Sequence, residues 1–176
     1  MAQATYQIDP AHSGAHFSIR HMMIANVRGE FTKISGTMVW DPENPAQSSI
    51  EASIDASSIN TREAQRDAHL KSPDFFDVEK YPAIQFQSTQ VRNHDGALEV
   101  TGNLTIHGVT RSVVLEVEGP TPEAKDPWGN PRIGASATTK IDRTDFGLHW
   151  NSSLETGGVL VGHEVKISIE LEGVRQ

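Results

Sequence analysis

Along most of the chain, apolar and polar residues alternate with a period of two, the pattern of strands with one face turned inward and the other to water. Ile50, Ala52, Ile54 and Ala56 share a face opposite Glu51, Ser53 and Asp55. Leu98, Val100, Leu104 and Ile106 stand opposite Glu99, Thr101, Asn103 and Thr105. The same parity runs through Val113, Leu115 and Val117, through Ile133, Ala135, Ala137 and Ile141, and through Val165, Ile167, Ile169 and Leu171. Turn signals separate the runs: Asp41-Pro42, Asn44-Pro45, Asp95-Gly96, His107-Gly108, Asp126-Pro127, Gly129-Asn130 and Gly157-Gly158. His94-Asp95-Gly96-Ala97 predicts a tight hairpin between residues 86–91 and 98–106, because Asp-Gly suits the turns whose twist matches that of the strands.

Neighbouring strands are therefore expected to be antiparallel, since a parallel sheet needs repeated crossover helices. One segment, residues 61–71, reads as helix, with Asn60 as cap, Glu63 at the capping-box spacing and Pro73 limiting its extension. Its apolar face is thin, formed by Ala64, Ala68 and Leu70, which suits a short helix lying across a barrel mouth or a sheet edge. Many short strands with one helix give a barrel or a sandwich, and a closed antiparallel barrel of roughly eight strands has no free edges. Its interior is either filled by side chains or open to a small ligand. Small residues at Gly29, Gly36, Ala52, Ala56, Gly102, Ala135 and Ala137 fit interior space, and fit twist and bulges equally well.

The 176 residues form a single expected domain, 1–176. With 15 Lys+Arg against 23 Asp+Glu the formal charge is −8, which argues against nucleic acid or an anionic membrane surface as the principal partner. The absence of cysteine excludes disulfides, thiolate chemistry and Cys-ligated metal. No basic leader or long apolar run precedes the first strand and no transmembrane segment follows, so the expected location is cytoplasmic, or periplasmic if a leader has been removed.

Motifs for chemistry are sparse. His12, His16 and His21 cluster in HSGAHFSIRH; read as strand, the even 12/16 spacing puts both rings on one side, and His69, His149, His163 or Asp67 would complete a metal site in space. The plainer reading is hydrogen bonding across loops or decoration of a pocket mouth. Asp74/Asp77 and Asp142/Asp145 are paired carboxylates of the kind that divide acid and base roles; the plainer reading is turn bonds and pairing with Arg143 or Arg66. Ser13 near His12 or His16 forms no supported triad, and no phosphate-binding loop is present. Phe17, Phe31, Trp40, Phe75, Phe76, Phe86, Phe146 and Trp150 are core anchors or pocket walls, and Met22-Met23-Ile24 is flexible apolar surface beside a histidine.

Taken in order, several segments closely resemble the YceI-like family of polyisoprenoid-binding, lipocalin-like proteins. They are IDPAHS from Ile8, with Phe17, Ile19, Arg20-His21 and VRGEF from Val27; RDAHLKSPDFFD from Arg66, with Tyr81-Pro82; GNLTIHGVT from Gly102; RTDFGL from Arg143; and VGHEV from Val161. Arg111-Ser112 departs from relatives that carry a proline there. The resemblance implies an all-β, lipocalin-like antiparallel barrel, often a homodimer, enclosing a long apolar cavity. It implies no catalysis and no cofactor, only a polyisoprenoid or prenyl quinone bound as ligand. Carried over by strand parity, the lipid-contacting residues would be Phe17, Ile19, Phe31, Ile54, Phe86, Leu104, Ile106, Leu115 and Ile167. Arg20, His21, Asp67 and His69 would orient a head group at the mouth. The competing readings are a metal-dependent or carboxylate-based enzyme and a packed structural or interaction domain.

Overall fold

The computed structural model describes residues 3–154 and 158–176. Twelve strands are present among them: β1 (Ala4–Ile8), β2 (Gly14–His21), β3 (Ala25–Phe31), β4 (Ile34–Trp40), β5 (Ser49–Asp55), β6 (Ile59–Asn60), β7 (Ala83–His94), β8 (Ala97–Ile106), β9 (Val109–Glu118), β10 (Ala124–Lys125), β11 (Pro131–Asp142) and β12 (Val161–Arg175). One α-helix, α1 (Ala64–Lys71), joins β6 to β7. Eight strands close a ring of antiparallel pairs in the order β1, β4, β5, β7, β8, β9, β11, β12 and back to β1, so the expected barrel is the fold.

β12 is the spine of the barrel. One edge carries β11 along eleven paired residues; the other carries β1 opposite Gly173–Arg175 and β2 opposite residues 161–170. β1 and β2 are thus one line of strand broken at Asp9–Ser13, where Asp9 Oδ1 accepts from Ala11 N at 3.0 Å and starts a 3-10 turn. β3 follows β2, β4 follows β1, and β6 adds two residues to β3, so the β2–β3 hairpin extends the wall beyond the ring at the end where α1 lies. β9 and β11 share only three paired residues, and a 3-10 turn at Arg143–Phe146 fills the wedge between them, with Phe146 1% exposed.

The Asp95-Gly96 hairpin forms as expected, with φ of 50° and 83°, the left-handed pair that a two-residue hairpin turn requires. The helix starts later than expected. Glu63 is its cap, accepting from Gln65 N and Arg66 N, while Asn60 is committed to β6 opposite Glu30 and its side chain takes Arg62 N. The interior glycines do not supply the open space: the rings of Phe17 and Phe86 lie over Gly29 and Gly102, so that a Cβ at either position would fall within 2.5 Å of ring carbon. Of the turn signals, Gly157 lies outside the described residues.

Candidate functional site

All five alternating rows point inward and, apart from Ala56, which starts a 3-10 turn after β5 and packs in the core, their apolar residues line one cavity of about 540 Å³ inside the barrel. That volume lies within the roughly 300–1,000 Å³ typical of small-molecule sites. Phe17 and Ile19 on β2, Phe31 on β3, Ile54 on β5, Phe86 on β7, Leu104 and Ile106 on β8, Leu115 on β9 and Ile167 on β12 all lie on its wall. Strand parity holds for them because the two register shifts, at Ser88/Gln90 and Val161/Val165, fall beyond Phe86 and before Ile167. Many inward side chains, including Phe17, Ile19, Ile54, Phe86 and Ile167, are only half-buried. In a filled core they would be covered on every side; here they border open space.

The two ends of the cavity differ. Far from α1, Tyr6, Ile8, Met38 and Ile133 pack into an apolar cluster, with Trp40 against it; Met38, Ile133 and Trp40 border the cavity, and Tyr6 donates to Glu123 Oε1 at 2.8 Å. Burial, together with this carboxylate, raises the Tyr6 hydroxyl above its usual pKa. Outside that cluster Arg132 bridges Asp126 and Asp9, each at 2.7 Å, and holds both carboxyls at a pKa of about 2.

At the α1 end the wall turns polar. Arg20, His21, Gln65, Arg66 and His69 line the cavity there beside Leu70, Phe75 and Trp150. The His69 ring meets Trp150 edge-on at 4.7 Å and Phe75 at 5.1 Å, and its Nε2 donates to Asp74 Oδ2 at 2.9 Å. The aromatics and α1 therefore form a partial lid in which an amphipathic molecule finds donors. Of the four head-group residues expected from the sequence, Arg20, His21 and His69 stand at this mouth. Asp67 does not line it: its Oδ1 accepts from Thr61 N at 2.9 Å and Thr61 Oγ1 at 2.5 Å, which ties the helix to β6. Arg66, also bonded to Thr61, takes the place at the wall that sequence reasoning left unassigned.

Arg143 is the second residue that parity does not reveal. It is 3% exposed and lies against the cavity. It binds backbone carbonyls rather than the carboxylates expected from its neighbours: Nε donates to Gly162 O and Nη1 to Leu148 O, each at 2.7 Å, and Nη2 to Val161 O at 3.3 Å. Asp142 instead caps the 3-10 turn through Thr144, and the hydroxyl and amide it accepts lower its pKa. Burial pushes the Arg143 pKa down.

The histidine cluster does not assemble. The 3-10 turn separates His12 from β2, so His12 faces Asp9 at 2.8 Å and Glu172 at 3.5 Å, while His16 faces Glu30 at 3.1 Å across the strands. Asp9, His12 and Glu172 are close enough to share a cation, but Arg132 already supplies positive charge there, 2.7 Å from Asp9. Ser13 exchanges bonds with the Glu172 backbone, as a strand-edge residue does. Asp74 is spent on His69, and no bond joins it to Asp77 among the described residues.

A closed antiparallel barrel with a deep apolar interior and a polar, helix-covered mouth defines a lipocalin-like protein. The YceI-like domain model matches residues 6–173, and the chain belongs to the YceI-like family. It is 37% identical over 175 residues to Protein YceI of Salmonella newport, covering 98% of this chain and 88% of that one. Among solved structures it is similar to Burkholderia cenocepacia BcnA, with 26% identity, TM-score 0.79 and coverage of 94% and 98%. A polyisoprenoid binding domain from Saccharophagus degradans, implicated in plant cell wall breakdown, shares the fold at 15% identity and TM-score 0.71, over 98% of this chain and 99% of that one.

Proposed function

We propose that the protein binds a long isoprenoid lipid, a polyprenyl chain or prenyl quinone, without chemical conversion, and stores or carries it. The observation that carries this reading is the cavity of about 540 Å³ bounded by inward apolar side chains that keep open surface toward it. The driving force is transfer of lipid carbon out of water, about 0.8 kcal/mol per buried methylene, partly offset by ordering of the chain. The tail enters past α1 and runs toward Trp40 and Ile133, while Arg20, His21 and Arg66 give a quinone carbonyl or a terminal oxygen its hydrogen bonds and His69, held by Asp74, walls the mouth beside them. The binding domain from Saccharophagus degradans, with the same fold, supports this ligand class.

Native mass spectrometry of gently purified protein, followed by solvent extraction and accurate-mass identification, tests the reading. A stoichiometric isoprenoid mass, or uptake of added prenyl quinone to one equivalent, is expected. Protein that is empty and refuses prenyl quinones over the accessible concentration range refutes it.

A further inference from the structure

The tip of the β2–β3 hairpin is out of keeping with a hairpin that only has to turn. Met22, Met23 and Ile24 are 44%, 55% and 77% exposed. Met22 and Met23 both hold left-handed backbone, φ 51° and 60°, where Asn-Gly would sit without strain and bulky side chains pay roughly 1–2 kcal/mol per residue. Three adjacent apolar side chains thus keep much of their surface in water on a strained turn, with the Met23 sulfur lying against Gly158 and the Met22 amide bonded to Leu160 O, immediately beyond Arg20 and His21 at the cavity mouth.

Behind the tip the outer face of the sheet carries one basic row among acidic neighbours, in a chain of net charge −8. Lys140 and Lys166 are direct partners across β11 and β12, Lys166 is opposite Ser18, and Ser18 is opposite Arg28, so one row crosses four strands with three cations. Among the described residues none of the three has a carboxylate within ion-pair distance. Placing two lysines side by side is unfavourable by itself. Arg20, Glu164 and Asp142 occupy the strand positions between this row and the tip, with the Asp142 carboxylate engaged by Thr144; Glu30 and Glu116 lie one row farther away.

An apolar finger with a basic row set back behind it matches the cross-section of an anionic bilayer, where apolar side chains enter the acyl boundary and Lys and Arg stay with the phosphates. We propose that the β2–β3 tip docks the barrel mouth on an anionic lipid bilayer, Met22, Met23 and Ile24 inserting and Arg28, Lys140 and Lys166 contacting head groups. This rests on the lipid-binding reading for its purpose, since docking there opens the mouth directly to the membrane in which a prenyl lipid dissolves.

The test is co-sedimentation with vesicles of phosphatidylcholine alone and of phosphatidylcholine with phosphatidylglycerol. Binding to the anionic vesicles only, suppressed by high salt, is expected. Lys140→Gln with Lys166→Gln should weaken it about 25-fold, roughly fivefold per cation. Met22→Asn, Met23→Gly and Ile24→Ser together should abolish it while relaxing the turn, and the indole emission of Ile24→Trp should shift to the blue on anionic vesicles. Equal binding by wild type and tip variant, or none by either, overturns the proposal. So does conversion of a wild-type dimer to monomer by the tip variant with unchanged vesicle binding, which makes the tip a self-interface. Prenyl quinone uptake from detergent separates the two readings: wild type that docks but takes up no quinone refutes the lipid-carrying function and leaves docking standing.

Discussion

Replacing Ala137 by phenylalanine should shorten the lipid that the barrel accepts without weakening the barrel. Ala137 faces inward on β11, opposite Ile169 of β12 and Val117 of β9, near the end of the cavity away from α1. On β12 the cavity wall runs from Val161 to Leu171. Ten residues at about 3.3 Å, on strands tilted by about 40°, give a depth of roughly 25 Å. An isoprene unit advances four carbon–carbon bonds of about 1.5 Å, or roughly 5 Å when extended, so a straight tail of about five units fills that depth. The substitution adds about six carbons, close to one isoprene unit, whose burial is worth about 4 kcal/mol at ~0.8 kcal/mol per carbon. Ordering that unit offsets about 1 kcal/mol, which leaves about 3 kcal/mol, or roughly a hundredfold in Kd.

The assay is equilibrium uptake of a prenyl quinone series by wild type and variant, read by native mass spectrometry, with thermal unfolding measured in parallel. Quinones with tails of up to about four units should bind both proteins within about twofold, and longer tails should bind the variant about a hundredfold more weakly. The melting temperature of the ligand-free variant should stay level or rise, because the ring enters space rather than displacing neighbours. A filled core would instead lose about 1–3 kcal/mol to overpacking, a fall of several degrees in a domain of this size. Such a fall, or a loss of affinity equal across all tail lengths, would refute the reasoning.

Arg143→Leu should cost about 2–4 kcal/mol in urea unfolding, because it strands the carbonyls of Leu148, Val161 and Gly162, and Arg143→Lys should recover less than half of that, since an ammonium does not span the fork; a loss below about 1 kcal/mol refutes the stapling role. The Asp9–Arg132–Asp126 bridge predicts an acid-sensitive end of the barrel: both carboxyls sit at about 2, below the ordinary 3.8, chiefly through Arg132. Their stabilising effect is therefore complete above about pH 4 and is lost as pH falls through 3.8 toward 2. Asp126→Asn should flatten that part of the curve of urea midpoint against pH, and parallel curves would rule the bridge out.

The period-two pattern determined a large share of this protein. Which side of Leu98–Val100–Leu104–Ile106 or Val165–Ile167–Ile169–Leu171 faces inward follows from alternation alone, because successive strand residues must point to opposite faces. Ile54, Leu104, Ile106, Leu115 and Ile167 were legible as inward for the same reason, Phe17, Ile19, Phe31 and Phe86 only through the family resemblance, and the Asp95-Gly96 turn because few dipeptides accept two left-handed residues. Local signals failed where a distant partner competed for the same group. Asn60 was taken from the helix cap by its pairing with β3, Asp67 from the mouth by Thr61, and Arg143 from nearby carboxylates by three carbonyls. His12 and His16 were parted by a turn that strand parity does not register. Whether the interior is full or open was decided only by tertiary structure. Glycine and alanine look alike in the pattern, but rings fold over Gly29 and Gly102 while Ala135 and Ala137 face the cavity. Closure, depth and the placing of Arg20 and His69 at one mouth depend on how β12 registers with β1, β2 and β11. Register is a relation between segments far apart in the chain, and alternation within one strand carries no record of it.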